Sequence, residues 1–333
     1  MMAGVPRLQL AQLPTPLQFL ERLSERCQRE IWVKRDDLTG HAVSGNKIRK
    51  LEYSLAKARQ EGADLVITCG GVQSNHCRAT AILAAQLGLK VQLLLRGDEP
   101  ELVDGNLFLD QLAGAQISYF ARRYYSAHLD FIVEETCEQA RREGHKPFFI
   151  PTGASDAVGV WGYYNASEEL ARDFEREQIA PDYLISATGS GGTQAGLTAG
   201  VAEHMPGLQV IGYAVCDDEA WFCNKVKSDL ADWSEAYGMP LKTHDGSVQV
   251  RDRYIGEGYA IASPAVFQSI RDLLQLEGLL LDPVYTGKAF YGMLSDLEAG
   301  LLPGDGPLVF VHTGGSFGLF AQREQMLASL RDL

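Results

Sequence analysis

A chain of 333 residues exceeds the size at which one hydrophobic core usually keeps growing, so one large or two smaller α/β domains are expected. Its apolar fraction of 46% is that of an ordinary globular protein, and a formal charge of −13 argues against a nucleic-acid or anionic-membrane surface while leaving room for a local basic pocket. No charged-then-apolar leader, no bilayer-length apolar run and no dense disulfide framework is present, so a soluble, reduced, cytoplasmic protein is expected.

Residues 1–20 are apolar and punctuated by Pro14 and Pro16, and are expected to drape on the body. Residues 30–35 read as a short strand, and Asp36-Asp37-Leu38-Thr39-Gly40 turns the chain. The stretch 43–53 then organises the sequence. It is a small-residue turn opening into an amphipathic helix over about 47–61, with Ile48, Leu51, Leu55 and Ala58 at a period near 3.6 and Gly62 closing it. Gly45 permits unusual backbone angles, and Asn46 is expected to cap the helix. Lys47 falls in the first turn, where the helix dipole disfavours a cation. Condensation of its amine with an aldehyde would remove that misfit; an ordinary basic helix start on the surface is the other reading. Lys50 lies on the same face, placed to meet an anion.

Strands and helices then alternate: strand 65–68, helix 75–88, strand 91–95, helix 104–113, strand 117–120, helix 127–143 and strand 148–150. After Pro151 a second series follows, with helix 156–177, strand 183–186, helix 192–204 and strand 210–213. Residues 215–260 resist assignment. Helices at 264–276 and 287–299, strand 308–311 and a closing helix after Gly318 complete the chain. This alternation predicts mostly parallel sheets with helices on both faces, in two lobes with a cleft between them.

Three strand-to-helix loops carry chemistry. Thr188-Gly189-Ser190-Gly191-Gly192-Thr193 can converge several backbone N–H groups on a phosphate, each charge-assisted bond being worth roughly 1.5–3 kcal/mol. It lacks the Gly-x-Gly-x-x-Gly and Gly-Lys-Ser/Thr patterns of nucleotide sites. Gly70 to His76 offers Gln73, Ser74, Asn75 and His76 at a helix start; carboxylate binding and simple capping both remain open. His312-Thr313-Gly314-Gly315 follows the last strand. Such loops gather at one edge of a parallel sheet, where ligands bind. Tyr259 and Tyr285 lie beside small residues; read singly, each tyrosine is more often core or rim than catalytic. Cys69, His76 and Cys77 lack a fourth ligand at a sensible spacing, so no metal site is expected, and the roles of Cys69 and Cys77 are open; Cys27, Cys137, Cys216 and Cys223 are scattered.

Five ordered motifs over nearly the whole chain carry a resemblance: Ser-Gly-Asn-Lys-Ile-Arg-Lys-Leu-Glu, Gln-Ser-Asn-His, Thr-Gly-Ser-Gly-Gly-Thr-Gln-Ala-Gly, Asp-Pro-Val-Tyr-Thr-Gly-Lys and His-Thr-Gly-Gly. The chain resembles the D-cysteine desulfhydrase and 1-aminocyclopropane-1-carboxylate deaminase family, pyridoxal-phosphate enzymes of the tryptophan-synthase-β-like fold (fold type II). The resemblance implies two three-layer α/β domains, a larger cofactor-binding one (1–48 plus 160–333) and a smaller one (49–159), with the site in the cleft, and a homodimer. It implies Lys47 as the Schiff-base lysine, Lys50 on the phosphate, residues 188–193 as the phosphate loop, Asn75 on the pyridine hydroxyl and Thr313 near the pyridine nitrogen. Ser74 would serve the substrate carboxylate or proton transfer, and Tyr259 and Tyr285 would face the small amino-acid substrate. Ring-opening deaminases of this family resemble Asp-Pro-Val-Tyr-Glu-Gly-Lys; Thr286 stands at that glutamate position here, which favours α,β-elimination on D-cysteine. Cyclopropane-ring deamination, cysteate desulfonation and a non-catalytic binding protein are the alternatives. Ser44, Trp161 and Ser316-Phe317 depart from the family pattern and bear on pocket polarity and size, and Cys69 and Cys77 flank the substrate loop.

Overall fold

The computed structural model describes residues 5–244 and 246–331. In chain order the first half runs β1 (Leu17–Phe19), α1 (Glu21–Cys27), β2 (Ile31–Lys34), α2 (Asn46–Gln60), β3 (Leu65–Gly71), α3 (Asn75–Gln86), β4 (Lys90–Arg96), α4 (Gly105–Leu112), β5 (Gln116–Phe120), α5 (Arg122–Arg142) and β6 (Pro147–Ile150). The second half runs α6 (Ala157–Glu177), β7 (Tyr183–Thr188), α7 (Gly192–His204), β8 (Gln209–Ala214), α8 (Glu219–Tyr237), β9 (Gln249–Arg251), α9 (Pro264–Glu277), α10 (Thr286–Glu298), β10 (Leu308–Val311), α11 (Ser316–Phe320) and α12 (Arg323–Arg331).

Two sheets form among the described residues. The larger has the order β1-β2-β10-β7-β8-β9 and the smaller β5-β4-β3-β6. All pairings are parallel except the antiparallel β1–β2 edge. The central strands β7 and β10 are buried throughout, as parallel strands covered on both faces must be. Mixed α/β architecture with parallel sheets is therefore observed as expected. Every strand of the smaller sheet comes from 65–150, and the larger sheet takes strands from both sides of that segment.

Some local expectations are corrected. Residues 17–19 do not merely drape but pair with β2, while 1–4 lie outside the described residues. The segment 215–260 contains α8 and β9, and the closing stretch is two helices rather than one, the first already starting at Ser316. Asn46 is not the helix cap. Gly45 takes that position at φ 109°, and a Cβ there would lie 2.6 Å from the Thr313 carbonyl oxygen. Only glycine fits both the dihedral and the close approach.

Helix α2 is held between the sheets by two kinds of contact. Ile48, Leu51 and Leu55 pack against Val66, Ala79, Leu83 and Ile150 of the smaller lobe. On another side Arg49 is buried and grips Asp36 (2.7 Å) and Glu169 (3.0 Å). Lys34 adds contacts to Glu169 (2.6 Å) and Asp173 (2.5 Å), and the Tyr163 hydroxyl donates to Asp36 (2.5 Å). Burial alone would raise the Glu169 carboxyl, but Arg49 and Lys34 hold it at about 2. A buried charge network of this kind fixes orientation more than it adds stability, because its desolvation cost is large. What it orients is the helix whose first turn carries Lys47.

Candidate active site

The strand ends of both sheets border one cleft of about 1020 Å³. Lys47, Ser74, Asn75, His76, Thr188, Gly189, Ser190, Gly191, Thr193, Tyr259, Tyr285 and Thr313 all line it. Residues more than 260 positions apart in sequence are thus brought to one wall, as sheet-edge loops predict.

Lys47 projects from the first turn of α2. Burial pushes its ammonium down to about 8, so a substantial fraction is neutral amine near neutral-to-alkaline pH. Gly153 leaves the space beside it: a Cβ there would lie 3.2 Å from the Lys47 Nζ and 2.3 Å from the Ser190 Oγ, and its φ of 70° is itself glycine territory.

The loop 188–193 ends in Gly191, which opens α7 without any side-chain cap. The terminal N–H groups of an uncapped helix and its dipole favour an anion. Ser155, which sequence reasoning missed, is the hub of this wall. Its hydroxyl donates to the Ser190 Oγ (2.8 Å) and accepts from the Gly192 N–H (3.1 Å). Lys50 is fully buried and donates to the same oxygen at 3.3 Å. Burial, with Lys47 nearby, pushes its ammonium well below the ordinary value. It therefore backs the loop rather than lining the cleft directly. Asn46 completes the wall by donating its side-chain amide to the Thr193 Oγ1 at 2.9 Å. Lys225 of α8 also lines the cleft, and a Cβ on Gly191 would lie 3.2 Å from its Cγ. The Thr188 hydroxyl is buried without a hydrogen-bond partner.

The 70–76 loop is built differently. Ser74 caps α3 by accepting from the Cys77 N–H at 3.2 Å, while still lining the cleft. Asn75 is oriented through its carbonyl oxygen, which accepts from Asn106 (3.0 Å) and Arg78 (3.4 Å). Its amide nitrogen is left for the cleft. His76 shares a hydrogen bond with the Thr68 hydroxyl (2.8 Å) through Nε2, and its Nδ1 is buried without a partner. Burial and the two nearby lysines hold it neutral, well below the ordinary histidine value.

Gln73 does not belong to the site. Its side chain donates to the Asp104 carbonyl (2.9 Å) and accepts from the Asn106 N–H (2.9 Å), tying the loop to the start of α4. Trp161 does not set the cleft's size; it packs edge-on against Trp233, Tyr164 and Tyr237 between α6 and α8. Ser44 turns its carbonyl to Arg78, and neither it nor Ser316 lines the cleft. Cys69 lines the cleft against the Thr152 hydroxyl (3.1 Å), and burial raises its thiol, as it does more strongly for Cys77. Among the described residues no cluster of three or more His, Cys, Asp or Glu could hold a metal. Among the described residues no helix is long and apolar enough to cross a membrane.

Tyr259 and Tyr285 meet hydroxyl to hydroxyl at 2.5 Å. Burial pushes the Tyr259 phenol up to about 12 and that of Tyr285 further, so both stay protonated at neutral pH. Lys288, also unforeseen, donates to the carbonyls of Ile255 and Gly258 (2.7 Å each) and so positions the Tyr259 loop. Thr286 turns away from the cleft. Its hydroxyl donates to the Asp282 carboxylate (2.7 Å) and accepts from the Asp282 N–H (2.9 Å).

The arrangement offers a buried amine, an uncapped helix N-terminus, a paired phenol wall and orphaned polar atoms in one cleft. Comparison with known proteins agrees. The family model described as pyridoxal-phosphate dependent enzyme matches residues 8–314. The chain is 42% identical over 96% of its length to the whole of a Thermotoga maritima protein named "Putative 1-aminocyclopropane-1-carboxylate deaminase". It is 39% identical over 95% of its length, and 96% of the relative's, to a D-cysteine desulfhydrase of Salmonella newport. The crystal structure of an ACC deaminase homologue superposes at a TM-score of 0.90 with 37% identity, covering 98% of this chain and 97% of that one. A threonine deaminase from Solanum lycopersicum, at 16% identity and a TM-score of 0.65 over 96% of this chain and 84% of its own, shares the fold.

Proposed function

The chain belongs to the pyridoxal-phosphate dependent enzyme family, as a lyase of the D-cysteine desulfhydrase and ACC deaminase group, and from that premise we propose that it eliminates hydrogen sulfide from D-cysteine, giving pyruvate and ammonia.

The residues present fit the family's cofactor. Lys47 would bind its aldehyde carbon, and residues 188–193 with the α7 N-terminus would hold its phosphate, supported from behind by Ser155 and Lys50. The orphaned Thr188 hydroxyl supports a polar occupant. Asn75 and Thr313 would meet the ring. When bound, the cofactor supplies an electron sink for charge developing at the substrate's Cα.

The protein's own work follows. The substrate carboxylate is received at the α3 N-terminus by Ser74 and Asn75, with neutral His76 adding no second charge. Lys47, desolvated and partly neutral, takes the α-proton. The Cβ–S bonding pair leaves on sulfur, against the protonated hydroxyls of Tyr259 and Tyr285, which can donate to it.

One observation carries the choice of reaction. Where the family resemblance places a carboxylate in ring-opening deaminases, this chain has Thr286, and its hydroxyl is spent on Asp282. Elimination of a good leaving group makes a smaller demand on the electron sink than opening a carbon ring. Ring-opening deamination is kept as the second reading because of the T. maritima relative's name. The test offers purified holoenzyme D-cysteine and 1-aminocyclopropane-1-carboxylate together and identifies the keto acid. Pyruvate with sulfide is expected; 2-oxobutanoate would overturn the reading of Thr286.

A further inference from the structure

We propose that Arg96 is the specificity-determining residue for the substrate's β-substituent, selecting a group that is itself anionic or that leaves as a basic anion such as hydrosulfide. The inference rests on the elimination reading above. Arg96 is the last residue of β4, with its Cα paired to Gly71 on one side and Phe120 on the other. That register places it beside the turn that leads to Ser74 and Asn75. It is half-buried and lines the cleft. Its guanidinium carbon lies 5.5 Å from the centre of the Tyr259 ring. Tyr259 in turn packs on Gly71, where a Cβ would stand 3.5 Å from its Cε1, and its hydroxyl meets that of Tyr285. Arg96, Tyr259 and Tyr285 are therefore one continuous wall.

What separates Arg96 from the other buried and half-buried arginines is its lack of a polar partner. Arg49, Arg78 and Arg29 are each spent on carboxylates, amides or carbonyls. Arg96 makes no side-chain hydrogen bond and no ion pair among the described residues; its one contact of that kind is the face of Tyr259. The acidic residues that line the same cleft, Asp130, Glu134 and Asp217, are exposed and do not pair with it. Stacking uses the plane of a guanidinium and leaves its fork of N–H donors free. A free fork in a cleft is a receptor for an anion.

The α-carboxylate already has a receptor at the α3 N-terminus, so the second cation answers a second charge. In the elimination the α-proton goes to Lys47 and the Cβ–S pair goes to sulfur. D-cysteine releases hydrosulfide, and an alanine-3-sulfonate would release sulfite; water converts the remaining 2-aminoacrylate to pyruvate and ammonia in both cases. Ring-opening deamination expels no anion and gives Arg96 nothing to hold.

The test compares wild-type, Arg96→Gln and Arg96→Lys holoenzymes on D-cysteine and on β-chloro-D-alanine, whose substituent is uncharged and leaves as chloride, an anion too weakly basic to need a cationic partner. Arg96→Gln is expected to lower kcat/KM for D-cysteine roughly 10- to 150-fold and that for β-chloro-D-alanine less than about threefold, with partial recovery in Arg96→Lys. Binding is read separately, from the change in cofactor absorbance on adding alanine-3-sulfonate or D-alanine. Arg96→Gln should weaken the sulfonate about tenfold or more relative to D-alanine. Equal losses on both members of either pair overturn the proposal, since Arg96 would then serve the α-carboxylate or the fold. Unchanged values overturn it as well. A wild-type enzyme that turns over neither amino acid ends the elimination reading, and the binding ratio then decides Arg96 alone.

Discussion

The loops 70–76 and 188–193 look alike in sequence, each a glycine-rich turn from a parallel strand into a helix with hydroxyl side chains at the tip. They differ in who occupies the helix end. At α3 the chain caps itself, because the Ser74 hydroxyl takes the Cys77 N–H. At α7 the cap position is Gly191, which has no side chain, and the nearest hydroxyl that helps, Ser155, comes from a different part of the chain. A self-capped helix end is partly satisfied and suits a ligand that comes and goes. An end with no cap of its own, where Ser155 takes only the Gly192 N–H, keeps further N–H groups for an anion, which suits a resident phosphate. Composition alone does not distinguish the two, because Ser and Gly occur in both; position relative to the first helical residue does.

The comparison can be broken at several strengths. Lys47→Ala, at the junction of the two walls, should lower turnover by roughly 10⁴-fold or more, since it removes both the proposed base and the proposed covalent anchor. Residual activity above one part in about a hundred of wild type, measured as keto acid formed, would sink the assignment.

Gly153→Ala acts chiefly on the resident side, with its new methyl also 3.2 Å from the Lys47 Nζ. The new methyl would meet the Ser190 Oγ at 2.3 Å in a backbone region that side chains avoid. Cofactor affinity, titrated by absorbance, should fall roughly 10- to 100-fold, because a strained backbone and a displaced hydrogen bond each cost about 1–3 kcal/mol. The same variant should leave the α3 end intact, so substrate affinity at saturating cofactor should move much less.

The pH dependence of cofactor loading sharpens the same boundary. Only the neutral amine attacks an aldehyde, and burial has brought Lys47 down to about 8. The loading rate of apoprotein should therefore rise with pH and level off just above 8. A rise that continues towards 10.5, the value of an ordinary lysine, would show that the amine is solvated. Stopped-flow absorbance across this range decides between them. Stability has the same sign: the unfolded chain binds the extra proton between about 8 and 10.5, so Lys47 contributes stability to the apoprotein as pH rises through that window.

Ser74→Ala removes the self-made cap of α3. About 1 kcal/mol of stability should be lost, visible as a lower Tm, together with weaker substrate binding. An unchanged Tm would mean that the capping bond is not holding the helix. Gln73→Ala should have the smallest effect on chemistry. Its side chain serves α4, not the cleft, so KM should change less than about twofold while stability falls by about 1 kcal/mol. A large rise in KM would restore Gln73 to the site.

Much of this was legible from the residues. The alternation of strand and helix patterns called for parallel sheets, and parallel sheets put their loops at one edge, so that pattern alone gathers Lys47, residues 188–193 and Thr313. Helix periodicity placed α2 to within a residue or two at each end. Local pattern failed where the governing contact was remote. Asn46 had the chemistry of a cap, but the neighbouring Thr313 carbonyl demanded glycine at the cap and sent the Asn46 amide to Thr193. Gln73 sat inside a ligand-binding motif and was claimed by α4. Trp161 was a departure from the family pattern that turned out to face an aromatic cluster outside the cleft. Ser155 and Arg96 carry no local signature at all, and Lys288 closes a motif that does not reveal its part in positioning the Tyr259 loop.

The sequence by itself placed Lys47 at a helix start and bordered it with two glycine loops, because these depend on short-range spacing and backbone freedom, while the cofactor class came from the family resemblance its motifs carry. Tertiary structure alone decided which hydroxyl serves which helix end and which cations are already spent. Arg49 and Arg96 are the same residue type, yet one is saturated by Asp36 and Glu169 and the other is left with only a tyrosine face. That difference is set by carboxylates contributed from distant segments, whose approach follows from the packing of α2 on α6 and of β4 beside β3, and no window of sequence around either arginine contains it.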